Sequence, residues 1–150
     1  MKAATKLLLK LRKNAEHVVV SHKKYRAAKL NKCFQNAAFY SAANKEFEIV
    51  SGWLVGDDYL DLGTVFVPHY WLRHKPTAFY YDTSPSATED IQNYEYVLDM
   101  DIYRFANQTS YVPPPVIVRE NGLLEVRVAD SNFVSIKSID VENLYSLVRN

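Results

Sequence analysis

The sequence predicts an α+β protein, in which N-terminal helices pack on a largely antiparallel β-sheet and a short helix closes the chain. Helix-favouring stretches come first, runs of alternating apolar residues follow, and Asn121-Gly122 between β-branched runs marks a hairpin. With 150 residues, 48% of them hydrophobic, the chain can bury one core. We therefore expect a single domain over residues 1–150, with a basic helical segment at 1–30 and the α+β body at 31–150.

The N-terminal segment predicts an amphipathic helix from Ala3 to about Val19, because apolar residues recur there at helical spacing. Residues 1–32 hold ten Lys or Arg and one acid, whereas residues 33–150 hold eight Lys or Arg and sixteen acids. Two interpretations of the basic face stay open. Either it complements the acidic remainder of the domain, or it contacts nucleic acid, an acidic protein or an anionic membrane surface.

The second helix is expected over Asn31–Asn44, a stretch that is rich in alanine and contains neither Gly nor Pro. Asn31 is a good N-cap residue and would place Cys33 in the first turn. A thiol there lies near the positive end of the helix and near Lys32, and both favour the nucleophilic thiolate. The backbone N–H of Cys33 could also bind an oxyanion. The alternative is that this lone cysteine is a small buried hydrophobic residue.

Two strands are expected next, at Thr64–Arg73 and Ala78–Thr83, with a turn at residues 74–77 between them. If the turn is centred between Lys75 and Pro76, the numbers of cross-strand partners add up to 151, and His69 lies opposite Asp82. Such partners have Cβ atoms about 4.5–5.5 Å apart, close enough for a carboxylate to hold an imidazole. A register shifted by one residue would instead put the two side chains on opposite faces.

The same register pairs Trp71 with Tyr80 on the side of the sheet that carries His69. These two rings either form an aromatic wall beside the thiol, where substrate would bind, or pack as an ordinary cross-strand pair.

The remaining elements are a strand, a hairpin and a helix. The run Glu89–Asn107 is open to helix or strand, and alternating residues favour a strand at least over Tyr94–Tyr103. The Asn-Gly hairpin joins Val116–Arg119 to Leu123–Val128. Asp140 is a suitable N-cap for a short C-terminal helix.

Four short motifs occur in an order that is known from one group of enzymes. They are Cys33-Phe34-Gln35-Asn36 at a helix start, Gly52-Trp53 and His69-Tyr70-Trp71 in strands, and Tyr81-Asp82-Thr83 in the next strand. This pattern resembles the papain-like and transglutaminase-like cysteine hydrolase superfamily over roughly residues 31–85. In that group a helix-borne Cys is followed by a His and by an Asp or Asn on neighbouring strands.

The resemblance implies a papain-like α+β core and assigns three catalytic roles. Cys33 would be the nucleophile, His69 the general base and acid, and Asp82 the group that orients the imidazole. Papain-like proteases usually have an oxyanion-binding Gln several residues before the Cys, and this sequence has none there. Asn31 or Asn36 is the substitute candidate. The glycine-flanked cysteine signature of the cathepsins is also missing.

Several other classes of protein are not indicated by the sequence. Charged residues interrupt the short apolar runs at residues 7–9 and 18–20, so we expect no membrane span or signal peptide, and a cytoplasmic protein by default. One cysteine, with no zinc spacing, predicts neither a disulfide nor a structural metal. The four glycines are scattered and form no phosphate loop, and we expect no cofactor.

The leading hypothesis from the sequence is a cysteine-dependent hydrolase or acyltransferase that acts on an amide, thioester or ester bond. The resemblance extends to proteases, amidases, deamidases and transglutaminases, with a protein or peptide substrate, and does not choose among them. The alternative is a non-catalytic interaction domain that binds a protein or nucleic acid through its basic N-terminal helix.

Overall fold

A computed structural model describes residues 1–57, 62–85, 93–109, 112–128 and 132–149 of the chain. The helices in these residues are α1 (Ala3–Leu11), α2 (Cys33–Ala43), α3 (Met100–Thr109) and α4 (Val141–Arg149). The strands are β1 (Glu16–Val18), β2 (Val20–His22), β3 (Phe47–Gly56), β4 (Thr64–His74), β5 (Tyr80–Asp82), β6 (Glu95–Leu98), β7 (Val116–Val118), β8 (Leu124–Arg127) and β9 (Phe133–Ile136). The predicted α+β class is confirmed.

The sheet is mostly antiparallel and centres on the long pair β3 and β4. Its order is β1-β6-β3-β4-β7-β8-β9, and β5 pairs both with β4 and, in parallel, with β2. Only Val19 separates β1 from β2, so this short stretch of chain joins β6 on one side of the sheet to β5 on the other.

Apolar side chains cover both faces of the sheet. On one face Trp53, Phe66 and Tyr70 pack with residues of α1, α3 and α4. On the other face Trp71 and Tyr96 belong to a smaller cluster, together with Val18, Val50 and Leu54. Since neighbouring residues of a strand point to opposite faces, Tyr70 and Trp71 serve different clusters.

The N-terminal helix is shorter than the sequence predicts, because it ends at Leu11 instead of continuing to Val19. The backbone of Arg12 is extended, and its guanidinium binds the buried carboxylate of Asp99 with a nitrogen–oxygen distance of 2.9 Å. Residues 16–18 then form a strand against β6. The β-branched run that begins at Val18 suits a strand, and this preference prevails once a sheet edge is available to pair with.

The β4–β5 hairpin has a register two residues away from the predicted one. Leu72 pairs with Tyr81 and Arg73 with Tyr80, so partner numbers add up to 153. The turn is centred one residue later than expected, because Ala78 adopts a positive φ of 61° and its N–H donates to the His74 carbonyl. A shift of two residues keeps every side chain on its predicted face.

The predicted strand over Tyr94–Tyr103 is wrong in its second half, which belongs to α3. The change of structure occurs at Asp99, whose carboxylate accepts a hydrogen bond from the Asp101 N–H and so starts the helix. The Asn-Gly hairpin between β7 and β8 is confirmed. So is Asp140 as the residue before α4, since its carboxylate accepts the Glu142 N–H at 3.1 Å.

No helix in the described ranges combines the length and the apolar character that crossing a membrane requires.

Candidate active site

Cys33 is the first residue of α2, which packs against β3 and β4. The predicted N-cap role of Asn31 is wrong, because Lys32 occupies the N-cap position and makes no side-chain capping bond. Asn31 instead takes a left-handed conformation with φ of 56° and turns the chain into the helix. The expected position of Cys33 in the first helical turn is thus retained with a different cap.

An interruption in strand pairing lets Cys33 reach the sheet. On the side of β4 away from β3, Thr64–Phe66 pair with β7 and Leu72–Arg73 pair with β5, and the described residues provide no strand between these two pairings. The Tyr70 backbone lies in this interval and hydrogen-bonds the Cys33 sulfur. A backbone N–H that would otherwise join a sheet ladder therefore holds the thiol at the edge of β4.

His69 lies on β4 and Asp82 on β5, and His69 Nε2 is 2.7 Å from Asp82 Oδ2. In the observed register the two residues are diagonal neighbours on one face and not direct partners. Both are buried. Because Asp82 engages Nε2, Nδ1 is the ring nitrogen that remains for Cys33, with which His69 makes a side-chain hydrogen bond.

Two residues that the sequence analysis did not single out complete the surroundings of Asp82. The Ser84 N–H donates to Oδ1 at 2.8 Å, and the Tyr96 hydroxyl donates to Oδ2 at 2.6 Å. The Ser84 contact is a local turn of the kind that Asp makes with the residue two positions later, so the sequence does carry its signal. The Tyr96 contact depends on how β6 is placed, and no local pattern indicates it.

Trp71 supports the imidazole from within the protein. Its ring is fully buried and stacks on His69 at a centroid distance of 6.1 Å. The ring also lies against Gly52, where a Cβ atom would collide with it. The predicted pairing of Trp71 with Tyr80 is wrong, since Tyr80 pairs with Arg73, and the buried Trp71 offers no surface for substrate.

The electrostatics of the three residues favour an ion pair between thiolate and imidazolium. Burial alone lowers the pKa of His69, but the charge and hydrogen bond of Asp82, together with Cys33, outweigh it and raise this pKa to about 10. Burial raises the pKa of the Cys33 thiol, yet His69 and the Tyr70 backbone bond lower it below the ordinary cysteine value. Burial likewise opposes ionisation of Asp82, whereas His69, Tyr96 and Ser84 hold its pKa well below normal.

Asn36 and Asn31, the residues predicted to bind the oxyanion, have other positions or partners in the structure. Asn36 is buried, and its amide both accepts the Lys29 N–H and donates to the Lys29 carbonyl, each at 2.9 Å. It therefore fastens the chain before the helix. Asn31 is exposed on that same stretch. The N–H of Cys33 itself has no acceptor within the helix, since first-turn N–H groups lack one, and it remains the candidate oxyanion donor.

Within the described part of the chain, no three His, Cys, Asp or Glu side chains are grouped so that they could hold a metal ion. Comparison with protein-family models, with curated proteins and with solved structures finds no match to this chain.

Proposed function

We propose that this protein is a cysteine-dependent hydrolase or acyltransferase of the papain-like kind, acting on an amide, thioester or ester carbonyl. The observation that carries the proposal is the meeting of three distant residues. Cys33 at a helix start hydrogen-bonds His69, and His69 Nε2 lies 2.7 Å from Asp82. A nucleophile, a base and an orienting carboxylate in this sequence of contacts are the parts that covalent acyl transfer needs.

The proposed reaction has two halves. In the first, the Cys33 thiolate attacks the carbonyl carbon, and its backbone N–H stabilises the oxygen as it becomes negative. His69, protonated at Nδ1, gives that proton to the leaving amine, thiol or alcohol, and an S-acyl enzyme remains. In the second half, water or another nucleophile attacks the S-acyl carbonyl while neutral His69 takes its proton. The acyl product leaves, and Cys33 is again a thiolate.

The surroundings of His69 support this role because they fix the ring and its charge. Asp82 holds Nε2, Trp71 stacks on one face, and Tyr96 contacts the ring edge at a centroid distance of 6.1 Å. A buried imidazole held from three sides keeps Nδ1 directed at the thiol. We propose a protein or peptide substrate and a cytoplasmic setting, and we leave protease, amidase, deamidase and transglutaminase activity as alternatives.

The proposal is tested by the rate at which iodoacetamide alkylates Cys33 as a function of pH. In the wild type we expect the thiolate to titrate well below the free-cysteine value of about 8.5. His69→Ala should return the titration towards that value. His74→Ala is the matched control, because His74 is a histidine of the same strand that pairs with exposed Glu46.

A thiol that titrates normally in the wild type and ignores His69→Ala would overturn the proposal, and Cys33 would then be a structural residue. A coupled thiol would justify a screen of amide, ester and thioester substrates, in which Cys33→Ala must abolish turnover.

A second candidate function is an interaction domain that binds nucleic acid or an acidic protein through its N-terminal segment. Lys6, Lys10 and Lys13 favour it, because all three are exposed on or just after α1. Arg12 does not support it, since its guanidinium binds the buried Asp99. Reversing the charges of the three lysines should abolish such binding, whereas Cys33→Ala should leave it unchanged.

A further inference from the structure

We propose that the substrate of Cys33 carries an anionic group beside the reacting carbonyl, and that the chain segment Lys23–Lys32 binds this group through Lys29 and Lys32. The inference rests on the proposed function and names the substrate class of that site.

The two ends of this segment are held at two different catalytic residues. At its start the Lys23 N–H donates to the Asp82 carbonyl at 2.8 Å, and the preceding His22 ring bonds the Ser84 carbonyl. At its end Lys32 directly precedes Cys33. The segment of ten residues therefore starts beside Asp82 and ends at the nucleophile.

The segment is also fixed along α2. Tyr25 packs edge-on against Tyr40 in the later part of the helix, with ring centroids 5.3 Å apart. Asn36, in the first turns, clamps both backbone groups of Lys29. The chain thus runs back along the helix towards its start. Lys29 and Lys32, both exposed, lie at the end where Cys33 is.

The stretch of chain that contains this segment carries charge of one sign. Between Glu16 and Glu46 the sequence contains no acid, although it contains the nucleophile. The carboxylate of Asp82 is buried and bound to His69, so it does not balance the exposed lysines. Lys23 is not part of the proposed site, because its ammonium group lies 5.5–5.8 Å from three aromatic ring centres. Exposed cations close to a nucleophile attract an anionic substrate.

The test compares two alkylating agents of the same size that differ in charge, iodoacetate and iodoacetamide. The measured quantity is the alkylation rate of Cys33 with iodoacetate divided by its rate with iodoacetamide, at low ionic strength and fixed pH. This ratio reports whether the site attracts a carboxylate next to the sulfur. The variant is Lys29→Glu with Lys32→Glu. The control is Lys6→Glu with Lys10→Glu, two exposed lysines of α1, a helix outside the segment Lys23–Lys32. Both double variants change the net charge equally.

We expect the ratio to fall about threefold or more in the first variant and to stay near the wild-type value in the control, with the difference shrinking at high salt. A carboxylate and a phosphate would both be attracted by the two lysines. Acetate and inorganic phosphate are therefore compared, at constant ionic strength, for protection of Cys33 from iodoacetamide. The stronger protector identifies which of the two anionic groups the substrate carries.

A ratio that is the same in both double variants, with protection by neither anion, would overturn the inference. The proposed function fails separately, through iodoacetamide alone, if His69→Ala does not alter the titration of the thiol.

Discussion

Tyr96 and His69 bind the same carboxylate oxygen of Asp82, the tyrosine hydroxyl at 2.6 Å and the imidazole Nε2 at 2.7 Å. The two partners come from different strands, Tyr96 from β6 and His69 from β4. With the Ser84 N–H on the other oxygen, the carboxylate has hydrogen bonds to both of its oxygens although it is buried. This arrangement explains how Asp82 stays ionised inside the protein.

Removal of the Tyr96 hydroxyl should therefore cost stability. We expect Tyr96→Phe to lower the free energy of unfolding by about 1–3 kcal/mol, because it deletes a buried hydrogen bond to a charged group. Urea denaturation at neutral pH measures this. The control is Tyr80→Phe, which removes a hydroxyl from the same strand as Asp82. This hydroxyl does not bond the Asp82 carboxylate, so the substitution should change stability by less than about 0.5 kcal/mol. Equal effects of the two substitutions would contradict the role given to Tyr96.

The charge of Asp82 should control the reactivity of the thiol. In Asp82→Asn, burial of His69 is no longer opposed by a carboxylate, so its pKa should fall from about 10 to below the ordinary histidine value. At pH 7 the imidazolium disappears, and we expect the alkylation rate of Cys33 to drop about tenfold or more. The histidine titration is followed by NMR and the alkylation by mass spectrometry.

Glu48→Gln is the control for this substitution, because it neutralises a carboxylate of β3 that pairs with Arg73. An Asp82→Asn variant that reacts like the wild type, or like the Glu48→Gln control, would show that the carboxylate does not act on the thiol through His69.

The parts of the site that depend on local pattern could be predicted from the sequence. An alanine-rich stretch placed Cys33 in the first turn of a helix, even though the cap is Lys32 and not Asn31. His69 and Asp82 were expected on one face, and they share it although the register is shifted, because a strand has a period of two residues and the shift was two. An even error in register leaves the face of every side chain unchanged.

The parts that depend on distant contacts could not be predicted. The first helix ends at Leu11, and the guanidinium of the next residue, Arg12, binds Asp99, which lies 87 positions further along the chain. Tyr96 reaches Asp82 only because β6 pairs with β3 and thereby joins the buried cluster. A local pattern carries no information about either partner, and the helical spacing up to Val18 was outweighed by the pairing of β1 with β6.

The two hydrogen bonds of Asn36 should make it a structural residue. We expect Asn36→Ala to lower the free energy of unfolding by about 1–3 kcal/mol, because the Lys29 N–H and carbonyl lose their partner. The pKa of the Cys33 thiol, measured by alkylation, should not change. Asn44→Ala is the matched control, since the Asn44 amide donates to the Tyr40 carbonyl in an exposed position at the other end of α2 and should contribute less. A variant of normal stability that has lost acyl turnover would instead assign Asn36 to the oxyanion.

The pairing of His69 with Asp82 should make stability depend on pH in the alkaline direction. The folded-state pKa of His69 is about 10, whereas the unfolded value is about 6.5. Below about pH 6.5 both states hold the proton and the stabilisation is complete. It is lost as the pH rises towards 10, because over this range the unfolded state has released the proton whereas the folded state still binds it. Cys33 acts in the opposite direction, since its lowered pKa adds stability as the pH rises.

The measurement therefore uses Cys33→Ser, in which urea denaturation between pH 6 and pH 10 isolates the contribution of His69. We expect the free energy of unfolding to fall by at most about 4 kcal/mol over this range, and to fall much less when Asp82→Asn is added. A decline of the same size in both backgrounds would mean that His69 is not held as an imidazolium by Asp82.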